Sequence, residues 1–473
     1  MVDNNISEVN SPTSVNKVPL MIVLISGAFV AILNQTLLAT ALPHIMIDLQ
    51  LDANTAQWLQ SIFMLVNGIM IPITAFLIER FTTRGLFLSA LTIFAIGTII
   101  CALAPNFAVL MAGRVAQAAA AGIIMPLMQT ILFLIFPIEK RGSAMGMFGL
   151  VIAFAPAIGP TLSGWLVEHF PWRSLFFVIL PIIIVDIIVA YFILKNITNR
   201  TFPKLDILSI ILSTLGFGGL LYGFSTAGNS GWGSLQVILS LVIGAIALTL
   251  FIWRQMKLEQ PILEFRVFKN SIFTLTTVLG MVAFMAMIGA AVVLPLLAQN
   301  MLGFTALESG LMLLPGAVVM GIMNPITGRL FDKFGARWLA IIGLTIVTVT
   351  TFMFTDLSTD TTFTYLATIN AIRMFGIAMV MMPVTTAGLN QLSVKLIPHG
   401  TAMNNTMRQV AGAIGTALLV TVMTNSAVPD EGINGMIHGV NVSFIVAGVF
   451  AIIALILSFF IKRSQPDSVH IRR

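Results

Sequence analysis

The feature that most constrains this chain is its scarcity of charge. Only 9% of its 473 residues are Asp, Glu, Lys or Arg, while 58% are hydrophobic. A soluble domain carries about 25% charged residues and needs them to cover its water-facing surface. A mean hydropathy of +1.01 points the same way. These values exclude a soluble globular enzyme, a disordered chain and a fibre, and leave a polytopic membrane protein. At about 20 apolar residues per membrane helix, the length holds a dozen or more spans. Hydropathy divides the chain into fourteen apolar segments, from 18–42 at the start to 442–461 at the end. The predicted fold class is an all-α membrane protein with 14 transmembrane helices.

The basic residues test that count. With fourteen spans and the N-terminus inside, 20 of the 24 Lys and Arg fall on the inner side. Only Arg173 falls in an outer loop, and Arg114, Arg373 and Arg408 fall within spans. This is the asymmetry the positive-inside rule requires, and one span more or fewer early in the chain would scramble it. All six tryptophans lie near expected span ends, as interfacial anchors do. The polar residues 1–17 lack the apolar core of a signal peptide and read as an inner tail. The single cysteine, Cys101, and five scattered histidines form no metal motif, so neither a metal nor a cofactor is expected. The net charge of +6 is spread over the loops, so no nucleic-acid partner is expected either.

Two pairs of features repeat along the chain. The inner loop after span 2 carries Glu79, Arg80 and Arg84, and the inner loop after span 10 carries Asp332, Lys333 and Arg337. The two acids are 253 residues apart. Arg114 in span 4 and Arg373 in span 12 are 259 residues apart, each followed by a proline, Pro126 or Pro383. Two independent pairs at nearly one offset imply two homologous halves. The expected organisation is a tail at 1–17, a six-helix bundle at 18–200, an inserted two-helix hairpin at 201–258, a second six-helix bundle at 259–463 and a tail at 464–473.

Several motifs accompany the repeats. The second inner loop reads Gly328, Asp332, Lys333, Gly335 and Arg337, spaced G-x-x-x-D-K-x-G-x-R. The first loop is a degraded copy with Ala75, Glu79 and Thr82 at the corresponding places. Span 4 holds Arg114, Gln117 and Ala118, and span 5 holds Gly159, Pro160, Ser163 and Gly164. Over residues 18–463 the chain resembles the major facilitator superfamily, in particular the fourteen-span drug–proton antiporters of the EmrB/QacA type and their LmrB- and NorC-like members. The resemblance implies two six-helix bundles of the major facilitator fold plus the hairpin. It also implies export and not uptake, because the family links the span-5 motif to antiport. Physically, an acid at a helix end can pair with Arg and accept from exposed backbone N–H groups, clamping two helices. The alternative is a solvated loop whose charges only orient the chain. Gly159 and Pro160, which loosen a helix and admit a neighbour, are expected to form a hinge between the halves.

Charges within a membrane are costly, about 2.5–3.5 kcal/mol or more each, so those present are functional candidates. Asp186 is the one acid deep within a span and can take up and release a proton; its alternatives are pairing near the inner boundary or a neutral, lipid-facing state. Glu308, at the outer end of span 10, is a second proton-coupling candidate, with loop capping as its alternative. The resemblance places Arg114 beside the proton pathway; the alternative is a strut bonded to backbone carbonyls, and Arg373 has the same two readings. Arg408 is expected to snorkel to the interface. Most members of the EmrB/QacA type carry an acid in span 1, whereas this chain reads Leu33-Asn34-Gln35-Thr36, which resembles the L-N-x-T of the LmrB-like subset. Asn cannot titrate, so Asn34 and Gln35, with Gln117 and Arg373, are candidates to line a substrate cavity or to bond between helices.

The expected function is proton-coupled multidrug efflux by alternating access: export of amphipathic antibiotics, dyes or other toxic compounds, driven by the proton gradient and not by a bound cofactor. The expected partners are drug-like molecules, protons and the lipid bilayer, with the protein a monomer in a bacterial cytoplasmic membrane and both termini cytoplasmic. A proton-coupled symporter is the alternative, disfavoured by the span-5 motif. A membrane enzyme would need convergent His, Cys or acidic pairs, which the sequence does not supply.

Overall fold

The computed structural model describes residues 17–198 and 200–461, so all but Lys17 of the expected N-terminal tail, and the C-terminal tail at 464–473, lie outside the described residues. Fourteen long helices follow one another: α1 Lys17–Leu49, α2 Ala53–Arg80, α3 Thr83–Ala102, α4 Phe107–Ile135, α5 Arg141–His169, α6 Ser174–Ile193, α7 Ile207–Ser230, α8 Leu235–Lys257, α9 Ser271–Asn300, α10 Ala306–Phe334, α11 Ala336–Met353, α12 Phe363–Leu389, α13 Ile397–Asn425 and α14 Gly432–Ser458. All fourteen are long and apolar enough to cross a membrane. Helix is the form hydrocarbon demands, since it satisfies every backbone polar group within the segment. Consecutive helices run in opposite directions, so one end of the bundle collects the basic loops. It is termed the basic end below.

Several helices outrun their expected spans. At 33 residues α1 is about 50 Å long, against a hydrocarbon core of about 30 Å. It continues through Pro43 to Leu49 and so carries Asp48 to the end opposite the basic one. Five tryptophans are exposed near helix ends, as anchors should be, but Trp172 is only 4% exposed. Its indole N–H donates to Asp48 Oδ2 at 2.9 Å, and that bond, not the interface, accounts for its position.

Helix packing repeats with an offset of eight helices. In the first part α1 packs on α5 and α6, α2 on α4, and α3 on α4 and α6. In the second part α9 packs on α13 and α14, α10 on α12, and α11 on α12 and α14. Close backbone crossings repeat as well. A Cβ added to Gly97 would lie 2.8 Å from the carbonyl of Gly113, and one added to Gly343 would lie 2.7 Å from that of Gly376. Glycine at these four positions lets α3 meet α4, and α11 meet α12, at backbone distance.

Between the two sets, α5 lies along α10, α2 meets α13, and α4 also touches α13. Helices α7 and α8 pair as a hairpin, and α7 rests on both α2 and α13. The basic end of the hairpin is closed by Arg254, whose Nε and Nη2 donate to Asp206 at 2.7 and 3.0 Å. That guanidinium holds the Asp206 carboxyl below the usual carboxylate range. At the other end, Trp232 Nε1 donates to Thr421 on α13 at 2.6 Å.

Candidate functional site

Two buried arginines define the interior. Arg114, on α4, is fully buried with its guanidinium 4.4 Å from the Phe63 ring. Its Nε donates to the carbonyl of Leu59 at 3.2 Å, and its Nη1 to the carbonyl of Asn34 at 3.4 Å and to Gln117 Oε1 at 3.1 Å. Gln117 in turn donates to Thr98 Oγ1 at 2.9 Å. Arg373, on α12, is equally buried and does the same in the second part. It donates to Thr351 Oγ1 at 3.3 Å and to the carbonyl of Ala286 at 2.7 Å. Thr98 and Thr351 are both on the third helix of their set, and Asn34 and Ala286 on the first. Each arginine therefore ties its helix to two others through donors the carbonyls can satisfy without a counter-charge. Arg114 Nη2, Arg373 Nη1 and the side-chain N–H groups of Asn34 have no hydrogen-bond partner among the described residues. Gln35 is half-buried one residue beyond Asn34.

The basic end is sealed between the two sets. Asp332 accepts from the backbone N–H groups of Gly142 and Ser143 at 2.7 and 2.9 Å, and from the Ser143 hydroxyl at 2.5 Å. It thus caps the N-terminus of α5, where unsatisfied N–H groups and the helix dipole favour an anion. Gly142 and Gly328 face each other at this crossing, where a side chain on either would strike backbone. Gly335 ends α10 at φ +76°, which glycine adopts without strain. The degraded first copy forms a different contact: Glu79 lies 3.1 Å from His399 Nε2 on α13. His399 Nδ1 accepts from the backbone N–H of Glu264 at 3.3 Å, so Nε2 carries the hydrogen that is donated to Glu79. Deeper in, the Thr130 and Thr401 hydroxyls are 2.8 Å apart, and Asn405 donates to Gln129 Oε1 at 2.7 Å. Asn324 donates to the carbonyl of Gly149 at 2.8 Å, and Arg141 to Asn390 Oδ1 at 2.9 Å. These contacts lie in the basic half, so the interior is closed at that end.

The remaining motif residues are arranged locally. Arg80 donates to the carbonyl of Pro203 at 2.9 Å, and the Arg84 guanidinium lies 4.5 Å over the Tyr191 ring. Lys333 lies over its neighbour Phe334, and Arg337 is exposed. Three expectations need correction. Asp332 clamps through backbone N–H groups, and no Arg pairs with it among the described residues. Gly159 is not at the junction of the halves: it packs against Thr36 of α1, and Gly164 has open space where a side chain would be. The face of α5 that meets α10 carries Gly142 and Gly146. At 100° per residue, the later motif has rotated off that face. Arg408 does not snorkel: it is buried and donates to the Thr385 hydroxyl and the carbonyl of Met381.

The two acids differ. Glu308 is exposed and completes a capping box, accepting from Thr305 N at 2.8 Å and from its hydroxyl at 2.9 Å while the hydroxyl accepts from Glu308 N. Asp186 is 4% exposed and its Oδ2 has no partner. It lies beside Gly27 of α1, apart from the Arg114 cluster. Sequence reasoning missed the seal residues His399, Asn324, Thr130, Thr401, Gln129 and Asn405. A cluster of amides and hydroxyls in otherwise apolar spans was the available signal.

Residues 24–416 match the Major Facilitator Superfamily. The chain is 59% identical to the uncharacterized MFS-type transporter YcnB of Bacillus subtilis, with 94% of each chain covered. It is 42% identical to the lincomycin resistance protein LmrB of Listeria monocytogenes, over 97% of this chain and 99% of that one. The crystal structure of the human organic anion transporter MFSD10 (TETRAN) is similar in fold, with a TM-score of 0.69 at 14% identity, covering 94% of this chain and 99% of that one.

Proposed function

The chain belongs to the major facilitator superfamily, and from that premise we propose that it exports amphipathic antibiotics, dyes or other toxic compounds across a bacterial cytoplasmic membrane in exchange for protons. It is a transporter and not an enzyme. Residues 18–200 and 259–463 are the two halves that move, and 201–258 is the hairpin between them. The basic end faces the cytoplasm with both termini, and the protein works as a monomer with no bound cofactor. In this assignment the seal closes the cytoplasmic side, which is the arrangement from which a substrate leaves outward. Asn34, Gln35 and Gln117 contribute polar groups along the path, with Arg114 and Arg373 holding the helices around it. Asp186 is the acid we assign to proton coupling, since Glu308 is committed to its cap. One proton moving down the membrane potential supplies about 2.3 kcal/mol per 100 mV before any pH gradient is counted.

The observation that carries this reading is the 42% identity to a lincomycin resistance protein over nearly the whole of both chains. The loop clamp at Asp332 supports alternating access, because its bonds cross between the two sets of helices and must break for the other end to open. The test uses everted membrane vesicles and a panel of dyes and antibiotics. Acidifying the lumen should drive at least one compound inward, with protons released as it accumulates. If no compound in a broad panel accumulates, drug–proton antiport is the wrong reading.

A further inference from the structure

Asp186 stands outside every hydrogen-bond network that joins the helices, and its surroundings point to a ligand. Its carboxylate lies against Gly27, where an added Cβ would be 3.0 Å from Oδ2 and would press the carboxylate aside. Phe87 and Leu91 of α3 close the inner side of the same spot. On the other side a groove of about 370 Å³ runs between α1 and α6, with Ile22, Ser26, Ile182 and Val185 among its walls and Asp186 in its lining. Ile22, Ile182 and Val185 are exposed, so the groove opens on the outer face of the bundle, which in a bilayer is hydrocarbon. Asp186 is seven residues from the basic end of α6, about 10 Å at 1.5 Å per residue.

Among the described residues, no cation pairs with it. The charged and titratable residues of α1, α3 and α6 besides Asp186 are Lys17, His44, Asp48, Arg84, Cys101 and Tyr191, and neither the thiol nor the phenol can be a cation. Lys17 lies over Phe136, Arg84 over Tyr191, and Asp48 is held at the opposite end by Arg173. His44 is four residues from Asp48 at that same end. An acid buried in apolar surroundings without a partner recruits either a proton or a cation. A zwitterionic lipid headgroup would bring a phosphate to a depth where no basic residue meets it. An ammonium on an apolar body suits both the carboxylate and the walls. We infer that the α1–α6 groove binds lipophilic amines taken from the bilayer leaflet at the basic end, the ammonium against Asp186 and the body along Ile22, Ile182 and Val185. The groove falls within the range of drug-sized sites, about 300–1,000 Å³. The amine and a proton then compete for one carboxylate. This rests on the efflux reading only in making the amine a substrate on its way in, since binding itself needs no transport.

The test is binding of a cationic probe, trimethylammonium-diphenylhexatriene, to the full chain in phosphatidylcholine nanodiscs, counted as the saturable part above empty discs. Neutral diphenylhexatriene, of the same shape, is the control. Asp186→Asn should weaken the cationic probe by about tenfold or more while leaving the neutral one unchanged, and Asp186→Glu should restore most of the affinity. Ser26→Leu, which narrows the groove but keeps the acid, should weaken both probes. Acidification should release the cationic probe from the wild type and have no effect on Asp186→Asn. Equal binding by wild type and Asp186→Asn would overturn the inference. So would displacement of the probe by discs rich in phosphatidylethanolamine, which would make a lipid headgroup the amine. Saturable, Asp186-dependent binding without export in vesicles would instead sink the efflux reading alone.

Discussion

Arg114 and Arg373 spend their donors on the carbonyls of Asn34 and Ala286 and reach Thr98 and Thr351, one through Gln117 and one directly. A guanidinium can do this because its five N–H groups fan out in a plane, whereas an ammonium is a single point. Arg114→Lys should therefore lose the Leu59 and Asn34 bonds together. We expect a loss of about 1–3 kcal/mol in stability, the scale of hydrogen bonds from charged groups. It should appear as a lower melting temperature in detergent alongside reduced transport, and unchanged melting would refute the strut. Asp48 offers a second test. Its carboxyl is held below its usual range first by the hydrogen bond from Arg173, at 2.7 Å, and then by that from Trp172. A group with a lowered folded pKa contributes stability above its unfolded value, about 3.9, and loses it as pH falls through the lowered one. The difference in melting temperature between wild type and Asp48→Asn should hold from neutral pH to about 5 and shrink as the pH falls below the ordinary carboxylate value. Because both partners are substantially exposed, it should be small. The two arginines were legible in the sequence because a charge in an apolar run stands out. Their acceptors were not, since a backbone carbonyl leaves no mark on residue type. The same applies to Asn34, whose carbonyl rather than whose amide meets Arg114.

At the scale of helices, fourteen spans and their order could be read from hydropathy and loop charge, because hydrocarbon permits little else. Which face of each helix meets which neighbour could not. Glycine and proline are common throughout membrane helices, so the Gly159-Pro160 motif drew attention to the wrong turn of α5. The crossing with α10 is made by Gly142 and Gly146 instead, and a Cβ on Gly146 would lie 2.5 Å from the Asn324 carbonyl. The absence of a side chain there sets the distance between the two helices, and with it the fit of the Asp332 clamp. Gly146→Val should force α5 and α10 apart and favour opening of the basic end. With Cys101 replaced by Ser and Thr401 by Cys, maleimide labelling from that end should be several-fold faster in the Gly146→Val background. Unchanged labelling would mean that α5 and α10 separate without opening a path. Gly159→Ala, on the α1 side, should leave the labelling rate as it is.

For the whole molecule, the seal implies a cycle. Bonds between the two sets of helices cluster at the basic end, through Asp332 with α5, Glu79 with His399, Thr130 with Thr401 and Asn405 with Gln129. The Thr130–Thr401 and Asn405–Gln129 bonds are each weak, since hydrogen bonds between side chains in membranes average about 0.6 kcal/mol in measured cycles, and the carboxylate bonds of Asp332 are the stronger members of the set. Several small terms, each at a different depth, suit a seal that closes cooperatively and opens on a modest driving force. A covalent bond at the same place would remove that freedom. Thr130 and Thr401 are on α4 and α13 with their hydroxyls 2.8 Å apart, and the chain has one other thiol to eliminate, the buried Cys101. In a Cys101→Ser background, Thr130→Cys with Thr401→Cys should form a disulfide on mild oxidation. Transport should then stop, while either single cysteine continues to transport and a reductant restores the pair. Binding of a substrate presented from the end opposite the basic one should survive the cross-link, because the new bond lies in the basic half. If the cross-linked protein still transports, α4 and α13 need not part, and alternating access across this seam is wrong.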